Sequence, residues 1–552
     1  MSDPAARNGG PVVIGRAGQL DRAVILRLAR GDIRVTLDPE LVAELAANRQ
    51  AVLAALDGDQ PVYGVNTGMG ALAGVRLDAA ARARHQDTLM TGRAVGSAPW
   101  LRRDEARALL AVRLRTLLDP AAGVSPGLCQ RLIDLLDADV VPAVPARGGG
   151  AAGEIIPLAH TGAVLLGTGQ VLGPASDARP TGNALDAGPT GEAHDGKPAG
   201  GVLDARQAGG VLDARQAGGV LGAGTAGGVL DAGVVLAAAG IGPRTFGAKE
   251  GVAFLEGVPG LTGLAILAGA DARVLVEQVL LTSAVAHAVV RASRDPLHPD
   301  LADSDELRSV LATTHELIGD DTTHALQAPV SFRVTAPALA VVLRAAGALD
   351  DAVDRALGAV TDSPAYLGGR FVGTSGFAGT DLTAALGALT TALIHLAEVG
   401  TARLHRLLDP AVTGLTRQLS DSPGVHAGMV AVHKRAVGVT HRLRRFALPA
   451  LVGAMETSLG QEDVQSFGFE AAECAGEAVA GLRDVLACEL LALHQALRLG
   501  GTPGSLATDA LDAVAEVAAV LPAGTGDRPF GRDLDRIIEL LSGGWPRSST
   551  RG

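Results

Sequence analysis

Apolar residues recur at helical spacing in three long segments of this sequence. The first segment, over about residues 36–60, contains LDPELVAELAANRQAVLAAL. Its intervals of three and four residues between apolar positions predict an amphipathic helix. The candidate buried positions are Leu41, Leu45, Val52, Leu53 and Leu56. Asp57, Gly58 and Asp59 interrupt the pattern, so the helix is expected to end there.

The two longest apolar stripes lie in the second half of the chain. Within 381–409 the stripe consists of Leu382, Leu386, Leu389, Leu393 and Leu396. Thr380 is a candidate N-cap of this helix and Pro410 a candidate stop. A second long helix is predicted over about 470–498, ending near Gly500. Both segments carry few charges, which is typical of helices that lie centrally in a bundle.

A repeated segment interrupts the middle of the chain, within a low-complexity insert at about 174–228. The nine-residue unit AGGVLDARQ occurs at 199–207 and 208–216, with variants at 217–225 and 226–234. A fixed period can indicate a solenoid, but each unit offers one Val-Leu pair and at least two glycines. That is too little apolar surface for a core, so we expect a disordered or loosely held surface insertion.

Composition favours a helical, globular protein. Apolar residues make up 47% of the 552 residues and aromatic residues only 2%, so the core must consist of Ala, Leu and Val. Alanine and leucine are good helix formers, and the predicted fold class is therefore mainly α. The formal net charge of -12 argues against sequence-independent binding to nucleic acid.

The cysteines and the termini set expectations for location. The three cysteines, Cys129, Cys474 and Cys488, are far apart and odd in number, which does not indicate a disulfide framework. The N-terminus shows no signal-peptide pattern, and no run of about 18 uncharged apolar residues predicts a membrane span. We therefore expect a cytoplasmic protein without membrane or nucleic-acid partners.

Few short motifs indicate chemistry on their own. The 13 histidines are scattered without HExxH or a His/Cys cluster, so no metal is expected. No phosphate-binding GxxxxGK[ST] motif occurs. The stretch YGVNTGMG, residues 63–70, has glycines that permit a tight loop, and it contains Tyr63, one of only two tyrosines. By itself this stretch also fits a structural turn with a packed tyrosine.

Several stretches taken in order are more specific. They are YGVNTGMGALAG, HQDTLMTGRAVG, GAAGEIIPLAHTGAVLLGTG, AAGIGPRTFGAKEGVAFLEG, QAPVSFRV and SLGQEDVQSFG. Together they resemble the histidine and phenylalanine ammonia-lyase (aromatic amino acid lyase) family over most of 36–500, the insert excepted. The resemblance implies a long-helix bundle assembled as a homotetramer, with active sites drawn from more than one subunit.

The resemblance also implies a domain order. It predicts an N-terminal lyase-like domain over 21–250 that carries the Tyr63 loop, the Ala151–Gly153 loop and the insert, and a central and C-terminal helical bundle over 251–540. The polar, glycine-rich composition of residues 1–20 predicts a flexible tail before them. A short flexible tail at 541–552 would follow.

The family's reactive group is the clearest departure. Family members build a methylidene-imidazolone ring from Ala-Ser-Gly: the glycine nitrogen attacks the alanine carbonyl, and water is lost, including the serine hydroxyl. Here the matching residues are Ala151, Ala152 and Gly153. Ala152 has no hydroxyl to leave, and no Ser or Cys lies between Cys129 and Ser176. We therefore expect no such prosthetic group and no other cofactor.

Other family site positions are retained. Tyr63 matches the catalytic tyrosine, which acts as a base; a phenol with a pKa of about 10 needs an environment that lowers it. Arg333 matches the arginine that binds the substrate carboxylate, and Glu462 a carboxylate near the prosthetic group and the substrate amine. Asn66, Gln327 and Phe377 match further pocket positions. Each also has a plain structural interpretation: Arg333 could pair with a helix-borne carboxylate, and Glu462 could lie on a solvated face.

The remaining site positions differ from the family. Arg93 stands where members that use histidine carry His, and Glu256 stands where the family has Asn. Val330 replaces a second tyrosine, and Gly376 and Ala378 flank Phe377 in place of Asn and His. Arg93 and Glu256 could form a new ion pair or act as new site groups, and the sequence leaves both possibilities open.

Three hypotheses about function follow. The first is a repurposed enzyme that binds a carboxylate-bearing small molecule and works by acid/base elimination, addition, isomerisation or cyclisation, with Tyr63 aided by Glu256 or Glu462. The second is an ordinary histidine or aromatic amino acid ammonia-lyase, against which the chemistry of Ala152 argues. The third is a non-catalytic scaffold or partner subunit of a true lyase.

Overall fold

The fold was analysed in a computed structural model of the 552-residue chain. It describes residues 10–58, 60–174, 228–318, 323–324, 326–453, 455–501 and 506–546. Most of the predicted insert, including the first three copies of the repeat, lies outside these residues. The chain divides into two compact units. The first comprises 1–149, 154–260 and 360–377, and the second comprises 150–153, 261–359 and 378–552.

The described part of the first unit contains eight helices and three small sheets. Its helices are α1 Arg22–Arg30, α2 Pro39–Leu56, α3 Ala79–Thr91, α4 Arg103–Leu117, α5 Pro126–Asp137, α6 Ile155–Leu165, α7 Ala232–Ala238 and α8 Glu250–Leu255. Its strands are β1 Val12–Ile14, β2 Val35–Leu37, β3 Gln170–Leu172, β4 Val229–Asp231, β5 Ala365–Leu367 and β6 Arg370–Val372. The β1–β2 pair is parallel, and the β3–β4 and β5–β6 pairs are antiparallel.

The second unit is built from helices. After α9, Pro259–Val289, it contains α10 Asp305–Leu317, α11 Val330–Arg333, α12 Thr335–Gly358, α13 Thr380–Leu407, α14 Pro410–Thr413, α15 Val430–Leu443, α16 Gly468–Arg498, α17 Thr508–Val520 and α18 Gly531–Ser542. The long helix α13 packs against both α12 and α16. A buried ion pair joins α13 to α16: Arg403 Nε lies 2.5 Å from Glu489 Oε1.

The predicted helices are present with small changes at their ends. All five leucines of the 381–409 stripe are buried on α13. Thr380 was expected as the N-cap but is the first helical residue, because Gly379 takes the cap position with φ +65° and supplies a left-handed entry. On α2, Leu41, Leu45 and Val52 are buried, whereas Leu53 and Leu56 are only half-buried.

The structured region begins earlier than the sequence suggests. Within the predicted N-terminal tail, β1 pairs with β2, and Ile14 and Leu20 are completely buried. Strand pairing with a segment about twenty residues later orders this stretch, which local composition did not indicate. The 360–377 segment also belongs to the first unit, although the predicted boundary placed it with the C-terminal bundle.

Among the residues that the structure describes, two helical stretches are long and apolar enough to cross a membrane by length and composition. In Glu250–Val289, 94% of the most apolar window is buried inside the protein, and in Gly376–Leu407 the figure is 61%. Core helices of compact proteins meet the same criteria, so these stretches are weak indicators of a membrane.

Candidate active site

The loop that carries Tyr63 is closed by its own polar side chains. Asn66 is buried; its Oδ1 accepts from the amide of Val62 at 2.7 Å and its Nδ2 donates to the carbonyl of Gln60 at 2.9 Å. Arg76 donates to the same Oδ1 at 3.2 Å. These contacts use both ends of the Asn66 amide, so its observed role is to shape the loop on which Tyr63 lies.

The phenol of Tyr63 has a defined partner on this loop. The amide of Gly70 donates to the Tyr63 Oη at 2.8 Å. An N–H donor favours the ionised form of an acceptor oxygen, and a phenolate is a much better proton acceptor than a phenol. The loop therefore places a backbone N–H donor on the phenol oxygen of Tyr63.

Arg93 lies close to the same loop, after the end of α3. Burial lowers the pKa of His85 on α3, the Arg93 cation lowers it further, and a contact with the carbonyl of Gly64 opposes both. Nearby, His160 of the PLAH stretch is buried, and its Nε2 accepts from the amide of Gly96 at 2.9 Å. This contact ties the segment that follows Arg93 to α6.

Glu256 immediately follows the short helix α8 and is buried. Arg113, on α4, donates from Nη2 to the backbone carbonyl of Glu256 at 2.5 Å and from Nη1 to that of Ala253 at 3.1 Å. Complete burial lowers the pKa of Arg113 to about 10, opposed by the charges of Glu154, Asp362 and Glu256. Arg113 thus anchors the end of α8 in a buried cluster of charged groups.

The AKEG stretch explains part of this cluster. Lys249 is completely buried; its Nζ lies 2.6 Å from Asp362 Oδ2 and 3.0 Å from the carbonyl of Ala122. Glu250 accepts from Ser125 and Gly247 and pairs with Arg244. Both charged residues of the motif therefore hold the turn before α8 rather than facing a ligand.

Glu154, directly after the triad, is a buried residue that the sequence analysis missed. Its Oε2 accepts from the amide of Gly260 at 2.6 Å, in the first turn of α9. A carboxylate there satisfies a free helix N–H and the positive end of the helix dipole.

The triad itself lies in the second unit, where it contacts Glu462. The amide of Ala152 donates to Glu462 Oε2 at 2.9 Å, and the hydroxyl of Ser458 donates to Oε1 at 2.9 Å. Ala151, Ala152 and Gly153 are half-buried. Glu462 therefore contacts the backbone of Ala152, whose side chain is a methyl group. A methyl offers no leaving group, so these residues do not fit the family's ring.

The remaining candidates in the second unit lie on or beside α11. Arg333, at its last position, is half-buried, and its Nε donates to the carbonyl of Ala328 at 3.0 Å. Within the described part of the chain, Arg333 forms no ion pair. Gln327 is exposed before the helix, and Val330 is 58% exposed.

Phe377, by contrast, is grouped with the first unit, in the 3-10 helix Gly376–Ala378, and is half-buried. The structure thus groups the candidates in two sets. Tyr63, Asn66, Arg93, Glu256 and Phe377 belong to the first unit, and Ala151, Ala152, Gly153, Gln327, Arg333 and Glu462 to the second.

Comparison with known proteins defines the class. The family model for aromatic amino acid lyases matches residues 20–197 and 211–518. The chain therefore belongs to the aromatic amino acid lyase family. It is 30% identical over 543 residues to a histidine ammonia-lyase of Streptomyces coelicolor, covering 95% of each chain, and 29% identical over 540 residues to one of Gloeobacter violaceus, covering 94% of each.

Solved structures confirm the fold. The ergothionase of Treponema denticola superposes with a TM-score of 0.82 at 19% identity, covering 97% of this chain and 99% of that one. The histidine ammonia-lyase of Trypanosoma cruzi gives 0.80 at 22% identity, covering 96% and 93%. At these identities the likeness concerns the fold alone. A mainly α fold of the aromatic amino acid lyase type, predicted from the sequence, is thereby confirmed.

Proposed function

We propose that this protein is a family enzyme that works without a methylidene-imidazolone ring, by acid/base chemistry on a carboxylate-bearing small molecule. The observation that carries the proposal is the contrast between two positions. Tyr63 retains a backbone donor to its phenol oxygen, whereas position 152 carries a methyl group that cannot be lost as water.

Tyr63 is proposed as the proton-transfer group. With the Gly70 amide stabilising its phenolate, it takes a proton from a carbon of the substrate, and the electron pair expels a leaving group or shifts to an adjacent carbon. A single well-placed acid or base supplies about 10²–10⁴-fold acceleration. Without an electrophile, that suffices only for a substrate that already carries an acidified C–H bond.

Arg333 is proposed as the carboxylate-binding group. Its Nε is used by the carbonyl of Ala328, which orients the guanidinium plane. A guanidinium binds a carboxylate through two parallel N–H donors. Glu462, Glu256, Asn66, Gln327, Arg93 and Phe377 are proposed as further pocket residues.

The test combines mass, absorbance and ligand binding. We expect the intact mass of the purified protein to equal that of the unmodified sequence, with no added ultraviolet absorbance; a ring in the wild type would contradict the proposal. Ala152→Ser restores the missing hydroxyl and is the matched control. Carboxylate metabolites should raise the melting temperature of the wild type but not of Arg333→Ala. Arg344→Ala, on the exposed face of α12, should still respond.

A second candidate is an ordinary ammonia-lyase, which the names of the relatives at 29–30% identity favour. It predicts release of ammonia from L-histidine or an aromatic amino acid by the wild type. If only Ala152→Ser releases ammonia, the first proposal is supported. A third candidate, a non-catalytic partner subunit, predicts that no small carboxylate binds and that the protein associates with a true lyase.

We also propose that the protein is a cytoplasmic homotetramer. Support comes from the 448–464 segment, which exposes an unusual number of apolar side chains: Leu448, Val452, Met455, Leu459 and Val464. Leu459 is 97% exposed. Such concentrations of apolar surface mark protein interfaces. Light scattering should give four times the chain mass, and Leu459→Asp should reduce it; a monomeric wild type would contradict the proposal.

A further inference from the structure

Gln86 on α3 is a buried polar residue outside the set of matched site positions. It is 2% exposed. Its Nε2 donates to the carbonyl of Gly64 at 2.9 Å, and its Oε1 accepts from the amide of Val252 at 3.1 Å. A carbonyl can only accept and an N–H can only donate, so the two partners fix the orientation of the side-chain amide.

The two partners belong to elements that carry candidate site residues. Gly64 follows Tyr63 directly in the chain. Val252 lies in the first turn of α8, where backbone N–H groups have no partner within the helix. Gln86 supplies that partner, so one side chain links the Tyr63 loop to the helix that ends beside Glu256.

The contacts around this link leave little room for movement. Gly64 has φ +65°, and a Cβ there would lie 2.8 Å from the Cγ2 of Val252. A Cβ on Gly251 would lie 2.6 Å from the backbone carbonyl oxygen of Gln86. Loop, α3 and α8 therefore approach each other at glycine contacts, and the Gln86 amide spans the point where they meet.

The position of the Tyr63 phenol depends on the same loop. Its oxygen accepts from Gly70, six residues beyond Gly64, so both ends of the contact move with the loop backbone. Charged or titratable groups near the loop include His85 on α3, Arg93 after α3, Arg76, which donates to Asn66, and Arg82, which donates to the carbonyl of Leu77. Asp78, at the end of the loop, caps α3. Gln86 itself is uncharged and acts only through hydrogen bonds.

We propose that Gln86 is a positioning residue for Tyr63, holding the loop against α8 so that the amide of Gly70 meets the phenol oxygen. The proposal rests on the role assigned to Tyr63 in the proposed function. Removing the Gln86 amide leaves the buried N–H of Val252 without a partner and takes one donor away from the carbonyl of Gly64, so the contact between the loop and α8 is weakened.

The experiment measures the ionisation of the Tyr63 phenol directly. Tyr63 and Tyr366 are the only tyrosines, so Tyr366→Phe leaves one titrating phenol, followed by tyrosinate absorbance as the pH is raised. In that background, Gln86→Met keeps the volume and removes both hydrogen bonds. We expect it to raise the pKa of Tyr63 by about one unit, because the phenolate loses a donor.

Gln278→Met is the matched control. Gln278 is also completely buried, and its Nε2 donates to two backbone carbonyls, those of Leu541 and Trp545, in the second unit. Both substitutions should lower the melting temperature, but only Gln86→Met should move the Tyr63 titration. An unchanged titration in folded Gln86→Met, or an equal shift in Gln278→Met, would overturn the proposal.

A second variant covers the case in which Gln86→Met does not fold. Gln86→Leu also removes both hydrogen bonds without adding a charge, and it too should raise the Tyr63 pKa; a folded Gln86→Leu without that shift overturns the proposal. The titration of the parent protein tests the proposed role of Tyr63 separately from the role of Gln86. A Tyr63 that titrates near 10 in the parent contradicts its role as a base, whereas the change on substitution tests Gln86.

Discussion

Two glycine-containing loops of this protein are held in opposite ways. In the Tyr63 loop, residues 62–78, close contacts require glycine at positions 64 and 68: a Cβ on Gly68 would lie 2.5 Å from the carbonyl oxygen of Leu72. In the glycine-rich loop, residues 147–153, a Cβ on Gly148, Gly149 or Gly150 would meet nothing within 4 Å. Packing determines Gly64 and Gly68 in the first loop, but not Gly74 there and not the three glycines at 148–150 in the second.

The two loops also differ in the hydrogen bonds that hold them. In the Tyr63 loop the side chains of Asn66, Thr67 and Tyr63 all bond to loop backbone. In the glycine-rich loop the amide of Ala152 in the triad donates to the side chain of Glu462, which lies 310 residues away in the sequence. The comparison shows which of the two loops is held in a defined geometry. A preorganised loop surrounds Tyr63, as acid/base chemistry needs, while backbone freedom remains beside Ala152.

The largest loss of stability is expected when the buried ion pair between Lys249 and Asp362 is broken. This pair belongs to the same unit as the Tyr63 loop. Lys249→Met leaves the Asp362 carboxylate buried without its cation, and breaking such a pair costs about 3–5 kcal/mol. Urea denaturation should show a free energy of unfolding lower by that amount. Arg355→Met breaks an exposed pair with Asp381 and should cost about 1 kcal/mol or less. Equal losses of unfolding free energy in the two variants would show that the buried pair stabilises the protein no more than the exposed pair does.

A glycine swap tests the comparison directly. Gly64→Ala forces a side chain into a left-handed conformation and against Val252, for a combined cost of about 2–4 kcal/mol. Gly149→Ala meets open space without a positive φ, so stability should change by less than about 1 kcal/mol and can rise. Thermal unfolding of both variants is the measurement. A destabilising Gly149→Ala would mean that the glycine-rich loop is packed after all.

The fold was largely predictable from the sequence, because its strongest signals are local. The Leu382 to Leu396 stripe predicts α13, and its leucines are buried as expected. The same holds for α16, predicted over 470–498 and observed over Gly468–Arg498. The spacing of apolar residues indicates which face of a helix is buried, and this spacing is visible within a few helical turns.

The contacts that shape the candidate site were not predictable in this way. Gln86 and Val252 are 166 residues apart, and Lys249 and Asp362 are 113 apart. A glutamine on an amphipathic helix resembles a solvated residue until its distant partners are known. Arg113 gave a usable signal, since a charged residue within the apolar run LLAVRLRTLL indicates a buried cation with partners.

A smaller effect is expected at the contact between the glycine-rich loop and Glu462. Glu462→Ala removes the acceptor for the Ala152 amide, at a cost of about 1 kcal/mol. The loop should then open more often, and trypsin should cut after Arg147 faster under native conditions. Asp463→Ala, the exposed neighbour, is the control and should leave the cleavage rate unchanged. If both variants are cut at the wild-type rate, the Glu462 contact does not hold the loop.

The smallest expected effect is a pH dependence confined to the Tyr63 loop. The pKa of His85 is lowered in the folded protein by burial and by Arg93, so folding favours the neutral imidazole. Its Nε2 is buried without a partner among the described residues, which gives a proton at that atom nothing to bond. The neutral form's contribution to stability is therefore complete above the unfolded pKa of about 6.5 and is lost as the pH falls below it.

Hydrogen exchange can resolve this difference between the two loops. Between pH 7.5 and pH 5.5, after correction for intrinsic rates, amide protection should fall in peptides covering 62–78 and remain constant in those covering 147–153. His85→Gln removes the titrating ring and should abolish the fall. A loss of protection that persists in His85→Gln, or that appears equally in both loops, would show that the pH effect comes from elsewhere. The two loops would then share one source of stability, contrary to the separation that their packing indicates.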